Sequence, residues 1–163
     1  MMTLNWRALP LGALLLAGLG PAHAQAADAP AQHITRAGTV ASLAGPAENF
    51  TGRVRVDPLT AVNPSINAST AYVTFEPGAR SNWHTHPAGQ YLIVTAGAGL
   101  TQEWGKPVQQ LRAGDTVWCP PGVRHWHGAA PGTAMTHIAV TGTAAGKSVQ
   151  WEDKVTDEQY QSR

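Results

Sequence analysis

Short apolar or alternating segments, each closed by Gly, Pro or Asn, follow one another along most of this chain. They recur about every eight to twelve residues, as is typical of a β-sandwich or β-barrel. The candidate strands are residues 53–56, 71–76, 82–86, 91–95, 100–104, 108–111, 116–119, 124–128, 135–140 and 148–151. The sequence has no long amphipathic helix between these segments, which argues against an α/β fold. We therefore predict an all-β domain.

One helix signal stands near the C-terminus. Thr156 is followed by Asp157, Glu158 and Gln159, an order that resembles a capping box, and Tyr160 can pack such a helix against the domain. The sequence therefore predicts a short C-terminal helix.

The first 24 residues have the features of a secretory signal peptide. Arg7 supplies the positive charge, residues 11–19 form an apolar run, and Ala22-His23-Ala24 matches a small-x-small cleavage site. The apolar run is too short to span a bilayer, and the alternative is an uncleaved N-terminal anchor. We expect residues 1–24 to be removed, 25–40 to be a flexible lead-in and 41–163 to be the domain, in the periplasm or secreted.

Composition excludes several classes of partner. The 163 residues are enough for one domain, and 11 Lys+Arg against 10 Asp+Glu give a formal charge of +1 with no basic cluster. We therefore expect no nucleic-acid partner and, after removal of the signal, no membrane association. The single cysteine, Cys119, cannot form an intramolecular disulfide, and we expect it to be buried.

Histidine carries the strongest chemical signal. Four of the seven histidines form two His-x-His pairs, His84/His86 and His125/His127. Side chains at i and i+2 of a strand lie on the same face, so each pair can present two imidazoles to one cavity. Imidazole is the commonest protein ligand for transition metals, although a single His-x-His is usually exposed or structural. Two such pairs favour a metal site.

Regularly spaced glycines and prolines surround both pairs. The first motif is Gly78, five residues, His84-Thr85-His86, three residues, Gln90, six residues and Gly97; the second is Gly114, five residues, Pro120-Pro121-Gly122, two residues and His125. In these motifs the sequence resembles the cupin superfamily. The resemblance implies a jelly-roll or double-stranded β-helix barrel. Two positions depart from it, because Gln90 stands where most cupins have Glu and Ala129 where the second motif usually ends in Asn.

Further segments resemble the small cupins with R-selective hydroxynitrile lyase activity. These segments are residues 51–59, 73–80, 87–90, 124–131, 134–137 and 155–160. The resemblance implies one divalent transition metal, Mn²⁺ first and Fe²⁺, Zn²⁺, Co²⁺ or Ni²⁺ as alternatives, held by His84, His86, Gln90 and His125. A neutral Gln leaves the full charge on the ion, which suits a Lewis acid better than a redox centre.

The resemblance also implies roles for residues around the metal. His137 becomes the candidate general base, since an ordinary imidazole has a pKa near 6.5 and is neutral at working pH. His127 shares a face with His125 and could ligate, orient substrate or pack as a core histidine; we favour the cavity. Ser81 matches a hydroxyl near substrate. The candidate pocket walls are Ala71, Val73, Phe75 and Thr141, although the first three could equally be core residues.

The expected function is therefore that of a metal-dependent lyase that splits or forms aromatic cyanohydrins from an aldehyde and cyanide. Its partner would be a small-molecule substrate, and small cupins imply a homo-oligomer, a dimer or a tetramer. Two alternatives remain open at this point. One is a non-haem iron dioxygenase, and the other is a non-catalytic module that binds a metal or a small molecule.

Overall fold

The computed structural model of the protein describes residues 31–162. The predicted signal peptide, residues 1–24, and the first part of the predicted lead-in lie outside the described residues. Residues 31–42 are exposed and precede the first strand. All the elements given below belong to the compact unit that begins at Ile34.

The described chain folds into twelve strands and one short helix, so the all-β prediction is confirmed. The strands are β1 (Leu43–Ala44), β2 (Phe50–Thr51), β3 (Val54–Asn63), β4 (Ala68–Phe75), β5 (Arg80–Ser81), β6 (His84–Thr85), β7 (Gln90–Glu103), β8 (Gln109–Arg112), β9 (Thr116–Cys119), β10 (His125–Ala129), β11 (Met135–Gly142) and β12 (Gln150–Trp151); the helix is α1 (Asp157–Gln161).

The strands form two antiparallel layers that share one strand. The first sheet has the order β1-β3-β4-β11-β7-β9. The second runs β2-β5-β10-β7-β8, and β6 with β12 extends it from β10. Apolar side chains of both sheets, among them Phe75 and Leu92 of the first and Phe50 and Leu111 of the second, form one buried cluster. This arrangement closes the two layers around a common core.

The shared strand β7 corrects one expectation. The sequence predicted separate strands at 91–95 and 100–104, but the chain continues through Gly97-Ala98-Gly99 as a single strand. Gly97 has φ +75°, and a Cβ there would lie 1.8 Å from the Ala134 carbonyl oxygen. Glycine therefore permits a bend rather than a turn. Residues 90–97 pair in the first sheet and 98–103 in the second.

Three two-residue strands, β1, β2 and β5, were not predicted. A strand of two residues is too short to show alternation, so periodicity cannot detect it. They matter for the site because β5 pairs with β10 and so places Ser81 behind the second histidine pair.

The C-terminal helix has the predicted cap. The Thr156 hydroxyl accepts from the Gln159 backbone N–H, and the Gln159 side chain accepts from the Thr156 N–H. Tyr160 is buried against Trp126, and its hydroxyl donates to the Ala129 carbonyl at 2.8 Å. The helix is thereby fastened to the outside of β10. In the described part of the chain, no helix is long and apolar enough to cross a membrane.

The two tryptophans beside the histidine pairs point away from them. Trp83 and Trp126 belong to a second buried cluster, with Tyr160 and Val155. Arg80 is buried beside this cluster, where it donates to the Val155 carbonyl and pairs with Asp157 at 2.6 Å. Alternation along β10 therefore separates an outer aromatic face from an inner histidine face, as the i, i+2 spacing predicts.

Candidate metal centre

A cavity of about 200 Å³ lies on the inner face of the barrel. Its lining includes five of the predicted polar site residues, and these are His84, His86, Gln90, His127 and His137. The predicted wall residues Ala71, Val73 and Thr141 also line it. The cavity therefore brings together side chains from both sheets.

The second sheet supplies a tight histidine cluster. His84 of β6 and His125 of β10 are direct partners across the ladder, and their rings lie 4.3 Å apart, centroid to centroid. His127 follows two residues after His125 and faces the same way. One side-chain nitrogen of each of these three residues lies within 4.8 Å of the others, and all three residues are buried. Such a triad can bind a metal ion.

Backbone carbonyls fix the orientation of three imidazoles. Nδ1 of His84 lies 2.9 Å from the Asn82 oxygen, Nδ1 of His86 lies 2.6 Å from the Ser148 oxygen, and Nδ1 of His125 lies 2.9 Å from the Val123 oxygen. A carbonyl only accepts, so each Nδ1 carries the proton and each Nε2 presents a lone pair. Histidines that bind a metal through Nε2 adopt this tautomer, with Nδ1–H donating to a neighbouring acceptor.

Three of the buried acceptors that lack a partner among the described residues belong to the predicted ligands, and we call these three the open lone pairs. They are His86 Nε2, His125 Nε2 and Gln90 Oε1. Buried polar atoms are nearly always satisfied, so a group of acceptors without a donor indicates that an ion or water binds among them. A divalent cation with imidazole and carboxamide ligands fits this donor set.

The histidine triad and the predicted ligand set share His84 and His125 but differ in their other members. The triad contains His127, whereas the prediction contains His86 together with Gln90. The His86 ring lies 5.0 Å from that of His84 and 5.4 Å from that of His125, so it borders the same group. The predicted ligand set stays a prediction, and His127 is a further residue within reach of the group.

Burial keeps the histidines neutral. It is the largest cause that lowers the pKa of His84 and of His86, and it lowers the pKa of His125 to about 4. For His84 the neighbouring His125 lowers the pKa further. Neutral imidazole is the form that binds a metal, so no proton has to leave before an ion enters near neutral pH.

The first sheet contributes His137, which faces His127 across the barrel. Their rings meet edge to face at 4.9 Å. His137 is fully buried, and neither of its ring nitrogens has a hydrogen-bond partner in the described chain. Burial lowers the pKa of His137 to about 4, well below the value of 6.5 assumed from the sequence. His137 is therefore a neutral acceptor, weaker as a base than expected.

His125 does not line this cavity but a second one, of about 240 Å³, which Cys119 also lines. Two other predicted residues lie behind the cavity instead of on its wall. Phe75 is fully buried, with His127 5.6 Å away and His137 5.8 Å away between ring centroids. Ser81 is also buried, and its hydroxyl accepts the His127 backbone N–H at 3.2 Å. Both residues support the two histidines from outside the cavity lining.

The aromatic wall of the cavity was not predicted. Trp151 and Phe50 line the cavity, with ring centroids 5.4 Å apart. Trp151 reaches the site because β12 pairs with β6, and this long-range pairing leaves no local pattern. The sequence did predict a strand at 148–151. It did not indicate on which face of the sheet Trp151 lies.

Comparison with known proteins agrees with this geometry. The Cupin_2 family, described as "Cupin domain", matches residues 71–141. The (R)-mandelonitrile lyase of Granulicella tundricola is 58% identical over 128 residues, which cover 78% of this chain and 97% of that protein. This chain belongs to the cupin family.

Solved cupin structures show the same architecture. A cupin-like protein from Thermotoga maritima MSB8 is 45% identical, with a TM-score of 0.69 over 72% of this chain and 89% of that one. A cupin-2 domain from Rhodospirillum rubrum, 20% identical, has a TM-score of 0.61 over 80% of this chain and 85% of that one. The expected cupin jelly-roll is thus confirmed. The family match spans every predicted site residue in this cupin, from Ala71 to Thr141.

Proposed function

We propose that this cupin is a metal-dependent lyase that cleaves aromatic cyanohydrins to an aldehyde and hydrogen cyanide, and catalyses the reverse addition. The observation that carries the proposal is that His86 and Gln90, which hold two of the open lone pairs, line one cavity with the neutral His127/His137 pair. The relative named (R)-mandelonitrile lyase supports the choice of substrate.

The residues that would hold the metal are His84, His86, Gln90 and His125, and Mn²⁺ is the ion we favour. When bound, a divalent ion supplies Lewis-acid stabilisation of the negative charge that develops on the cyanohydrin oxygen. The ligands are neutral, so they leave the positive charge of the ion uncancelled.

The protein's own groups manage the proton. Cleavage requires that the hydroxyl proton leave oxygen while the electron pair of the C–C bond departs with cyanide. His137 accepts that proton on an imidazole nitrogen and then passes it to cyanide, which leaves as hydrogen cyanide. Because burial keeps its pKa near 4, His137 holds the proton only briefly and returns to the neutral form. The facing His127 can orient the same proton.

The cavity walls favour an aryl substrate. Phe50 and Trp151 supply aromatic faces, and Ala71, Val73 and Ala139 supply small apolar sides. Aromatic rings gain most from such surfaces in edge-to-face or offset contacts. The phenyl group of the substrate would lie here, and the reacting carbon with its hydroxyl and cyano groups would face the histidines.

The decisive experiment follows the breakdown of mandelonitrile to benzaldehyde by absorbance. The protein is stripped of metal, reloaded with MnCl₂ and assayed with and without oxygen. We expect benzaldehyde only with metal and at equal rates in both atmospheres. His137→Ala should lower kcat by about 10²- to 10⁴-fold, the contribution of a positioned proton acceptor.

His33→Ala provides the matched control, because His33 is exposed and precedes the barrel. It should keep full activity. Absence of benzaldehyde from the Mn²⁺-loaded protein would refute the proposal. Turnover that required oxygen would instead support the dioxygenase alternative, and bound metal without turnover would support the binding-module alternative.

We also propose that the protein acts outside the cytoplasm as a homo-oligomer on a small-molecule substrate. The leader-like residues 1–24 support export, and resemblance to small cupins supports assembly. N-terminal sequencing of the protein from a periplasmic fraction tests the first point, with a start at Gln25 expected. Sedimentation equilibrium tests the second, with a dimer or tetramer expected.

A further inference from the structure

Gln90 and Thr141 form a side-chain pair at the edge of the cavity. They are direct cross-strand partners in the ladder between β7 and β11. The Gln90 amide Nε2 donates to the Thr141 hydroxyl oxygen at 2.9 Å. Gln90 is 6% exposed, so this bond satisfies a donor that water does not readily reach. The hydroxyl is thus the acceptor for one end of the carboxamide.

The other end of the carboxamide faces the histidines. Gln90 Oε1 is one of the open lone pairs, and the carboxamide lies beside His86. His86 presents its Nε2 lone pair there, because its Nδ1 is bonded to the Ser148 carbonyl. Two acceptors that face each other repel unless a cation lies between them. The orientation of Gln90 in the structure is therefore the one that suits a bound cation.

A half-turn of the carboxamide would undo this arrangement. It would place the NH₂ group against His86 Nε2, and the two would form a hydrogen bond without any metal. It would also present donors to the ion instead of an oxygen. In the oxygen-inward orientation the NH₂ group needs an acceptor on its other side, and the Thr141 hydroxyl supplies it, so that no buried donor is left unpaired while Oε1 faces the ion. The bond also increases the electron density on Oε1, as outer-shell partners of metal ligands do.

We propose that Thr141 is a positioning residue that orients Gln90 as an oxygen ligand for the metal. This inference rests on the metal-holding part of the proposed function. It differs from the sequence-based role of Thr141 as a pocket wall, because here Thr141 acts through Gln90. The need for it arises from Gln at position 90, since a Glu side chain has two equivalent oxygens and no N–H to satisfy.

The experiment measures metal affinity and not turnover. Metal-free protein is titrated with MnCl₂, and free Mn²⁺ is followed by electron paramagnetic resonance. Thr141→Val keeps the side-chain shape and removes the acceptor, and we expect affinity to fall about tenfold. Thr141→Ser restores the hydroxyl and should bind within about twofold of the wild type. Thr136→Val, on the outer face of the same strand, is the matched control.

A second background separates orientation from packing. In Gln90→Glu protein the same Thr141→Val change should alter affinity less than about twofold, because a carboxylate has no wrong orientation. The inference is overturned if Thr141→Val lowers Mn²⁺ affinity equally in both backgrounds, or if it does not lower the affinity when residue 90 is Gln. Thermal unfolding confirms that each variant is folded, and Thr141→Ala replaces Thr141→Val if the latter is not.

The outcomes also distinguish this inference from the proposed function. If the wild type binds no Mn²⁺, both fail. If the wild type binds and Thr141→Val binds equally well, only the inference fails. If the tenfold loss appears but no benzaldehyde forms, the lyase proposal fails and the role of Thr141 stands.

Discussion

Trp151 lies against His84, with 4.9 Å between the centroids of the indole and imidazole rings, and the two residues are also strand partners. The same indole contacts Phe50. A single residue of β12, Trp151, thus packs against a candidate metal ligand and also forms part of the aromatic wall of the cavity.

Replacing Trp151 with Ala should raise KM for mandelonitrile about tenfold. The reason is the loss of ring contact with the aryl group, of the order of the 1.4 kcal/mol that a tenfold change represents. Trp151→Phe should retain most of the affinity. Metal stoichiometry should stay at one ion per chain, and steady-state kinetics with metal analysis checks both quantities.

Trp118→Ala is the control for this change, since Trp118 lies on the outer side of β9 and is 46% exposed. It should leave KM unchanged. An unchanged KM in Trp151→Ala as well would mean that the aryl group binds elsewhere.

Addition of Mn²⁺ should raise the unfolding midpoint of the metal-free protein. An ion bound only by the native state at a hundredfold excess over its Kd adds about 2.7 kcal/mol, or several degrees in Tm. His125→Ala should abolish the shift, whereas the exposed His33→Ala should preserve it. Scanning calorimetry with and without MnCl₂ checks this, and an equal shift in His125→Ala would argue against the proposed ligands.

Two glycines with the same backbone conformation should respond very differently to alanine. Gly97 has φ +75° and Gly105 has φ +77°. A Cβ at Gly97 would meet the Ala134 carbonyl, whereas a Cβ at Gly105 would have no described atom within 4 Å apart from its own residue and chain neighbours. Gly105→Ala should cost about 1 kcal/mol for the left-handed backbone alone. Gly97→Ala should cost more than about 3 kcal/mol or prevent folding. Urea denaturation measures both, and equal losses would show that the bend tolerates a side chain.

The Cys119 thiol should be inert in the native protein. Burial, with a smaller contribution from Glu103, raises its pKa to about 12 from an ordinary value of 9.0. A thiol-reactive dye should therefore leave native protein unlabelled at pH 8 and label it at once in denaturant. The raised pKa also means that stability falls as pH rises from about 9 toward 12, because only the unfolded chain ionises. Rapid native labelling would contradict this environment.

Local spacing predicted the grouping of the histidines better than the walls of the cavity. The two histidine pairs, the helix cap and β9 at residues 116–119 could all be found because each depends on neighbours within a few positions. The continuity of β7 could not, since a glycine that bends a strand looks like one that ends it. Trp151 was missed because its position depends on a partner strand more than sixty residues away.

Burial explains the remaining difference. A histidine at position 137 looks the same in sequence whether it is exposed or enclosed, so its pKa was taken as ordinary. Only the packing of Phe75, His127 and two sheets around it shows that the ring is kept neutral. Charge states inside a barrel therefore depend on the tertiary structure.

The order of the strands along the chain also affects when the site can form. The four long-range partners of β7, which are β8, β9, β10 and β11, all follow it along the chain. His125 is the last of the four proposed ligands along the chain, and it has no framework shared with Gln90 until β10, which ends at Ala129, can pair with β7. A shorter nascent chain therefore lacks a complete set of the proposed ligands. If residues 1–24 direct export of the unfolded chain, which would extend our proposal, the ion would be bound only in the compartment where folding ends.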